Sequence, residues 1–472
     1  MLLHVLKYDL KNLVAERSLY VVASLFSALL LYGAWNGAAW ITHQQATISA
    51  VQKEQASRLA ALPGRVASAE TAGLPAFLDP RMPAVVGSRE GTPYLVLPPQ
   101  RLGSLAIGQS DLYPYYIRAS TQAASNVMSA DEIENPDNLL YGRFDLAFVL
   151  VYLFPLLILA LSYNILSSER EQGTLALTLS QPVQLATVVF GKLASRGAVL
   201  LLLAVSVSLL AAQASGGSFW SIHFLLWTVL LLAYAAFWFA LAIVVNAMGK
   251  SSAANAVMVC VGWVVLVLVV PSALHLLAGA LYPVPSRVEM IHAMREASKE
   301  ATARGATLLA RYLEDHPELG GGGAASVADA ASKALAVQQE TDRLIAPVLE
   351  RFDRQLAGQR ELLDRFRFLS PAILTQGAMA DLAGSGTARF EHFRLQANRF
   401  LSGWRAHFAR LVFAKKMITA GDIAYLPQFS WEEEASSAVV ARVSVALLGI
   451  AIPALFLALA GIRMIRNFRL AG

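Results

Sequence analysis

The sequence holds few residues in patterns that do chemistry. Gly249-Lys250-Ser251 is the tail of a phosphate-binding loop, but the full pattern needs a glycine at position 244 so that backbone amides can wrap the phosphates, and Val244 stands there. The stretch reads instead as a turn between two apolar segments. No two of the eight histidines have the spacing of a His-Glu-x-x-His zinc motif. His223 and His275 fall near the ends of apolar runs and read as interfacial or packing residues. Gly384-Ser-Gly386 lacks the frame of a nucleophile elbow. Cys260 is the only cysteine, so neither an intrachain disulfide nor a cysteine-based metal site can form. These patterns point away from an enzyme, and no catalytic, cofactor-binding or metal-binding residue is expected.

Two other stretches are informative. Ser168-Glu-Arg-Glu-Gln-Gly-Thr-Leu-Ala-Leu-Thr-Leu-Ser-Gln-Pro182 follows an apolar run. Gly173 can break the emerging helix, Thr174 can cap a new one, and Pro182 disfavours helical geometry at Gln181. A short helix at about 175–180 is therefore expected, exposing Leu175 and Leu179 beside a charged collar of Glu169, Arg170 and Glu171. Physics alone leaves two readings open: a docking surface for a partner, or a plain membrane-surface turn. At the N-terminus, Leu3, Leu6, Leu10, Leu13 and Val14 recur at helical spacing opposite Lys7, Asp9, Lys11 and Glu16. That pattern predicts an amphipathic helix lying along a membrane interface.

Membrane helices must position both stretches. Of the 472 residues, 56% are hydrophobic and 15% charged, and the charges are excluded from blocks: none occurs in 18–50, 146–168, 197–249 or 251–286. Such blocks are long enough to cross a hydrocarbon core about 30 Å thick. The turn-forming run Gln213-Ala-Ser-Gly-Gly-Ser218 divides the longest block into a hairpin. Six spans result, at 18–40, 146–166, 187–212, 219–246, 253–280 and 437–463, and Pro271 should kink or break the fifth. The fold class is an all-α polytopic membrane protein. The net charge of +5 does not indicate nucleic acid, because the basic residues flank the spans or mix with acids.

Placing residues 1–17 in the cytoplasm puts Lys7, Lys11, Arg17, Arg170, Lys192, Arg196, Lys250, Arg463, Arg466 and Arg469 on one side, the positive-inside pattern. Both termini, the 167–186 element and the 464–472 tail are then cytoplasmic, and 41–145 and 281–436 lie outside. The first external segment opens with a polar stretch, 41–62, that can prolong the first helix. From Pro63 to Pro114 it is a mixed, Pro-rich part too interrupted for long helices, with a short strand at Tyr94 to Leu97. The second external segment reads as a helical domain. Val337, Leu344, Val348, Phe352, Leu356, Leu363 and Phe366 form a stripe along a long helix whose charged remainder is a solvated face.

Glu169-Arg-Glu-x-Gly173-Thr174-Leu175, with Gln181-Pro182-Val183 and Gly191-Lys192, resembles the permease subunit of a type-2 ATP-binding-cassette exporter. Gly142-Arg-Phe-Asp145, Leu369-Ser-Pro-Ala372 and Leu382-Ala-Gly384 resemble a subgroup with enlarged extracytoplasmic loops. The resemblance covers the membrane part and touches the external segments only at those motifs. It implies a bacterial inner-membrane subunit that binds no cofactor itself, since ATP and Mg would be held by a separate cytoplasmic ATPase. Glu169, Arg170, Glu171, Gly173, Thr174, Leu175, Leu179 and Pro182 would form the coupling element, bordered by the N-terminal helix. A second permease subunit, either a copy or a related chain, would complete the pathway. Membrane lipid surrounds the spans, and the external segments leave room for a periplasmic partner. The family's short re-entrant helices between spans five and six are expected to be replaced by about 150 residues. The alternative reading is a membrane-anchored extracytoplasmic scaffold or assembly factor without transport activity.

Overall fold

The computed structural model describes residue 9 and residues 17–72, 78–121, 144–180, 184–218, 220–305, 307, 314 and 330–467. In chain order its main elements are α1 (Arg17–Ala72), β1 (Tyr94–Val96), β2 (Tyr116–Arg118) and α2 (Leu146–Glu171). Then follow α3 (Thr174–Leu179), α4 (Leu185–Ala214), α5 (Ile222–Ala247) and α6 (Ser252–Leu281). The chain continues through α7 (Arg287–Ala303), α8 (Ala330–Phe366), α9 (Pro371–Ala383), α10 (Thr387–Phe413) and α11 (Ser436–Arg466). Helices α1, α2, α4, α5, α6 and α11 are long and apolar enough to cross a membrane. The protein is an all-α polytopic membrane protein.

Helices α2 and α5 form the centre of the bundle, with Phe154, Trp227, Tyr234 and Trp238 fully buried. Prolines shape two spans. In α2 the turn widens to an i→i+5 register over Val149–Leu153, just before Pro155, and in α6 over Val264–Val269, just before Pro271. A proline has no N–H to give, so a carbonyl one turn back loses its helical donor. In α2 the Tyr234 hydroxyl donates to Val151 O at 2.7 Å. In α6, Val270 N bonds Val265 O, so the next bond in this register would run from Pro271 to Leu266 O; the Ser370 hydroxyl supplies it instead, at 2.6 Å. The fifth span is thus widened at Pro271 rather than broken.

At one end of the bundle, described parts of 41–121 and 282–435 pack together. Helix α1 does not stop at Pro63 but continues to Ala72, because Leu62 and Val66 pack with Val86, Trp404, Phe408 and Ile418. The short antiparallel pair β1–β2 forms at the expected Tyr94 strand, and Leu95 and Ile117 pack on Phe393, Ala397 and Leu401 of α10. Trp404 donates its indole N–H to Gly87 O at 2.9 Å. A side chain at Gly87 would meet Phe408 at 2.6 Å, so this approach needs glycine. Through Leu62, Val86, Leu95 and Ile117 the first segment therefore packs against α10 of the second. The expected stripe on α8 is half-buried from Val337 to Leu363, while Phe366 is exposed and Ile345 is the buried member of that face. Its solvated face is partly used: Asp342 pairs with Arg405 at 3.3 Å and Asp353 with Arg394 at 3.0 Å, tying α8 to α10.

Candidate coupling site

The candidate site lies at the opposite, loop-poor end of the bundle. Helix α2 is interrupted by a turn at 163–166 before its last segment, Ser167–Glu171. Inside an apolar bundle the opened backbone must find partners. Asn246 of α5, buried, donates to Ser162 O at 2.8 Å and accepts from Leu166 N at 3.2 Å. Asn255 of α6, fully buried, donates to Tyr163 O at 3.2 Å and Ser167 Oγ at 3.3 Å. Neither asparagine was singled out by motif. The signal for both was an amide side chain inside a charge-free block.

Beyond Glu171 the chain turns at Gly173, whose φ of +72° lies in the left-handed region that glycine adopts without strain. Thr174 is the first residue of α3 rather than its cap, and its hydroxyl donates back to Glu169 O at 3.2 Å. The leucine assignment changes. Leu175 is 1% exposed and Leu177 is 71% exposed, so the residue projecting from the short helix is Leu177. Successive helical residues are about 100° apart, which places Leu177 opposite Leu175. Leu179 lies within α3, but its side chain is outside the described residues, as are Pro182, Leu3, Leu6, Leu10 and Leu13. In the N-terminal stretch only Asp9 is described. It is buried and accepts from the Ser195 hydroxyl of α4, instead of lying on a solvent-facing polar side.

The charged collar, with Glu169 half-buried and Arg170 and Glu171 exposed, is engaged within the chain. Glu169 forms an ion pair with Lys192 of α4. Arg170 donates to Gly249 O and, at 2.9 Å, to Lys250 O, in the turn between α5 and α6. Glu171 accepts from Ser252 N and Ser252 Oγ, each at 2.7 Å. Its carboxylate thus sits on the N-terminus of α6, where the helix dipole favours negative charge. The collar was expected to offer charges to a partner, yet each member is engaged within the chain. These links join the α3 element to α4 and α6. Gly249-Lys250 serves as a backbone acceptor for Arg170.

At the far end of the bundle the long stretch between the last two spans includes a short helix: α9 inserts among α2, α5, α6 and α11, and Ala372, Leu374, Ala378, Met379 and Leu382 join the bundle core. Ser370 caps its N-terminus, accepting from Ile373 N at 3.3 Å, while donating to Leu266 near the middle of α6. Gly449 of α11 makes room, since a side chain there would meet Phe368 at 2.8 Å and Leu374 at 2.9 Å. Tyr152 donates to Gln376 at 2.7 Å, and Asp381 pairs with Arg442 at 3.2 Å. Asp145 caps α2 through Phe148 N at 2.6 Å and binds Ile107 N at 2.7 Å, stapling the segment after α1 to the bundle. Burial pushes its pKa up, against amide donors that favour the carboxylate. His275 is exposed on α6 and His223 half-buried at the start of α5. Among the described residues no group of three or more His, Cys, Asp or Glu is placed to hold a metal.

A protein-family profile described as "Domain of unknown function (DUF3526)" matches residues 287–432, the stretch from α7 through α10 to the lead into α11. No curated protein and no solved structure matches the chain.

Proposed function

We propose that the chain is the transmembrane permease subunit of an ATP-binding-cassette exporter, energised by a separate cytoplasmic ATPase that docks on α3. The observation that carries this reading is the α2–α4 connection itself. It presents an exposed Leu177 on a short helix whose collar grips α4 through Glu169 and the α5–α6 turn through Arg170 and Glu171. A free surface turn needs no such bracing, whereas an element that receives a push must be tied to what it moves. Arg17, Arg170, Lys192, Lys250, Arg463 and Arg466 belong to this end of the bundle, which supports a cytoplasmic placement in a bacterial inner membrane with both termini inside. In this reading a second permease subunit completes the pathway, and α9 closes its outer half. Purification of the full chain from its native membrane should recover an ATP-binding-cassette ATPase, and Leu177→Asp should release it.

A second reading, an extracytoplasmic scaffold, draws on the cores in which α1 and β1–β2 pack with α10. It gives no role to the braced α3 element. Recovery of the intact chain with external partners, and without any ATPase, would favour it.

A further inference from the structure

Resting on that reading, we propose that α6 is a strut that carries displacement of the α3 element to the external module, with Glu171, Ser370 and Gln359 as its positioning residues. Helix α6 is gripped by polar contacts at both ends and in the middle. At one end Glu171 holds the backbone and hydroxyl of Ser252, each at 2.7 Å. Near the middle Ser370 holds Leu266 O at 2.6 Å. At the other end Gln359 of α8 donates to Tyr282 O at 2.7 Å, and Gly358 lies so close to the Tyr282 ring that a side chain there would meet it at 2.4 Å.

Between these grips α6 is the most loosely packed span. Only 17% of its most apolar stretch is buried, against 56% in α2 and in α5. Apolar surface gains little by packing on helices rather than lipid tails, so such a helix is held chiefly by its directional polar contacts. The turn at 163–166 adds the complementary property. It separates Ser167–Glu171 from the rest of α2, and Asn246 and Asn255 satisfy the opened backbone. A push on α3 therefore passes to α6 through Glu171 and through Asn255, which binds Ser167 Oγ, while Trp263 of α6 keeps a further hold on Tyr152 O of α2 at 3.2 Å. Gln359 hands it to α8, whose pairs Asp353–Arg394 and Asp342–Arg405 bind α8 to α10.

The test uses the full chain with its co-purified ATPase, in a Cys260→Ser background, with spin labels in two pairs. Ser180→Cys with Arg466→Cys reports the α3 element, and Lys53→Cys with Arg351→Cys reports the external module. Distances are compared without nucleotide and with ATP trapped. Both pairs should shift, and Gln359→Ala, at an unchanged melting temperature, should abolish the external shift while sparing the other. Ser370→Ala should do the same, but Gln359→Ala carries the test if Ser370→Ala lowers the melting temperature. A shift at the α3 pair alone in the parent would overturn the strut and leave the coupling reading standing. An external shift that survives Gln359→Ala combined with Ser370→Ala would also overturn it, since the motion would then travel by another route. Absence of an ATPase, or of a shift at the α3 pair, would defeat the coupling reading and the strut with it.

Discussion

The Ser370 hydroxyl donates at 2.6 Å to the carbonyl of Leu266, the group that Pro271 leaves without a donor in the widened turn of α6. One residue of a loop thus repairs the backbone of a span 104 positions away, and in doing so fixes the depth of α9. Ser370→Ala should cost about 1–3 kcal/mol, the penalty of an unsatisfied buried acceptor. Pro271→Ala, which restores an N–H, should recover part of that loss. Thermal unfolding of the single and double variants in detergent measures the coupling, and purely additive losses would refute this account of the pair.

The two leucines of α3 should separate. Leu177→Asp should leave the permease folded while removing an apolar contact of about 1.5–3 kcal/mol from a docked ATPase. Leu175→Asp should lower the yield of folded protein, because its side chain is buried within the chain. Size-exclusion profiles and ATPase retention in pull-downs tell the two apart.

Acid should loosen the junction where α9, α10 and α11 meet. Hydrogen bonds from Arg442, working against burial, hold the Glu434 carboxyl below the usual range; at Glu433 burial pushes upward, but the hydrogen bonds and charge of Arg389 outweigh it. A carboxylate with a lowered folded pKa contributes stability above its unfolded value, about 4.3, and loses it as pH falls toward the folded value. Melting temperature should therefore fall with acidification below about pH 5. In Glu434→Gln that descent should be shallower, and an unchanged acid limb would exclude Glu434 as its source.

The core that Trp404 shares with Leu62, Val66 and Val86 predicts that Trp404→Ala disturbs both segments. Loss of a buried tryptophan costs about 3–5 kcal/mol. Limited proteolysis of the intact protein should then cut within 78–121 as well as within α10. Cleavage confined to α10 would mean that the first segment folds without it.

Membrane sidedness is checked by accessibility. Single cysteines at Lys53 and Arg343, in the Cys260→Ser background, should react with an impermeant reagent in cells whose outer barrier is opened. A cysteine at Lys250 should not. The reverse pattern would turn the protein over and remove the cytoplasmic docking site.

Most of the membrane part could be read in the sequence because exclusion of charge from a span is a one-dimensional property. The short strand at Tyr94 and the long helix through Phe352 were legible for the same reason, each being a local pattern. What escaped depended on distant partners. Leu175 and Leu177 differ only in which side of a six-residue helix the rest of the chain covers. Helix α1 passes Pro63 because Trp404 and Phe408 are waiting to pack against Leu62. The collar of Glu169, Arg170 and Glu171 carried the right charges, but its spacing could not show that Lys192 and Ser252 already occupy them. Asn246, Asn255 and Ser370 belong to no periodic pattern, and each answers a break in another helix.

The continuity of α1 has a geometric consequence. At 56 residues it is about 84 Å long, nearly three times the thickness of a hydrocarbon core, and roughly 48 Å of it, residues 41–72, stands clear of the bundle. A tilt of only about 5° where it crosses the bilayer would swing its far tip by about 4 Å, so rearrangements too small to reshape the membrane part are amplified at the distal surface.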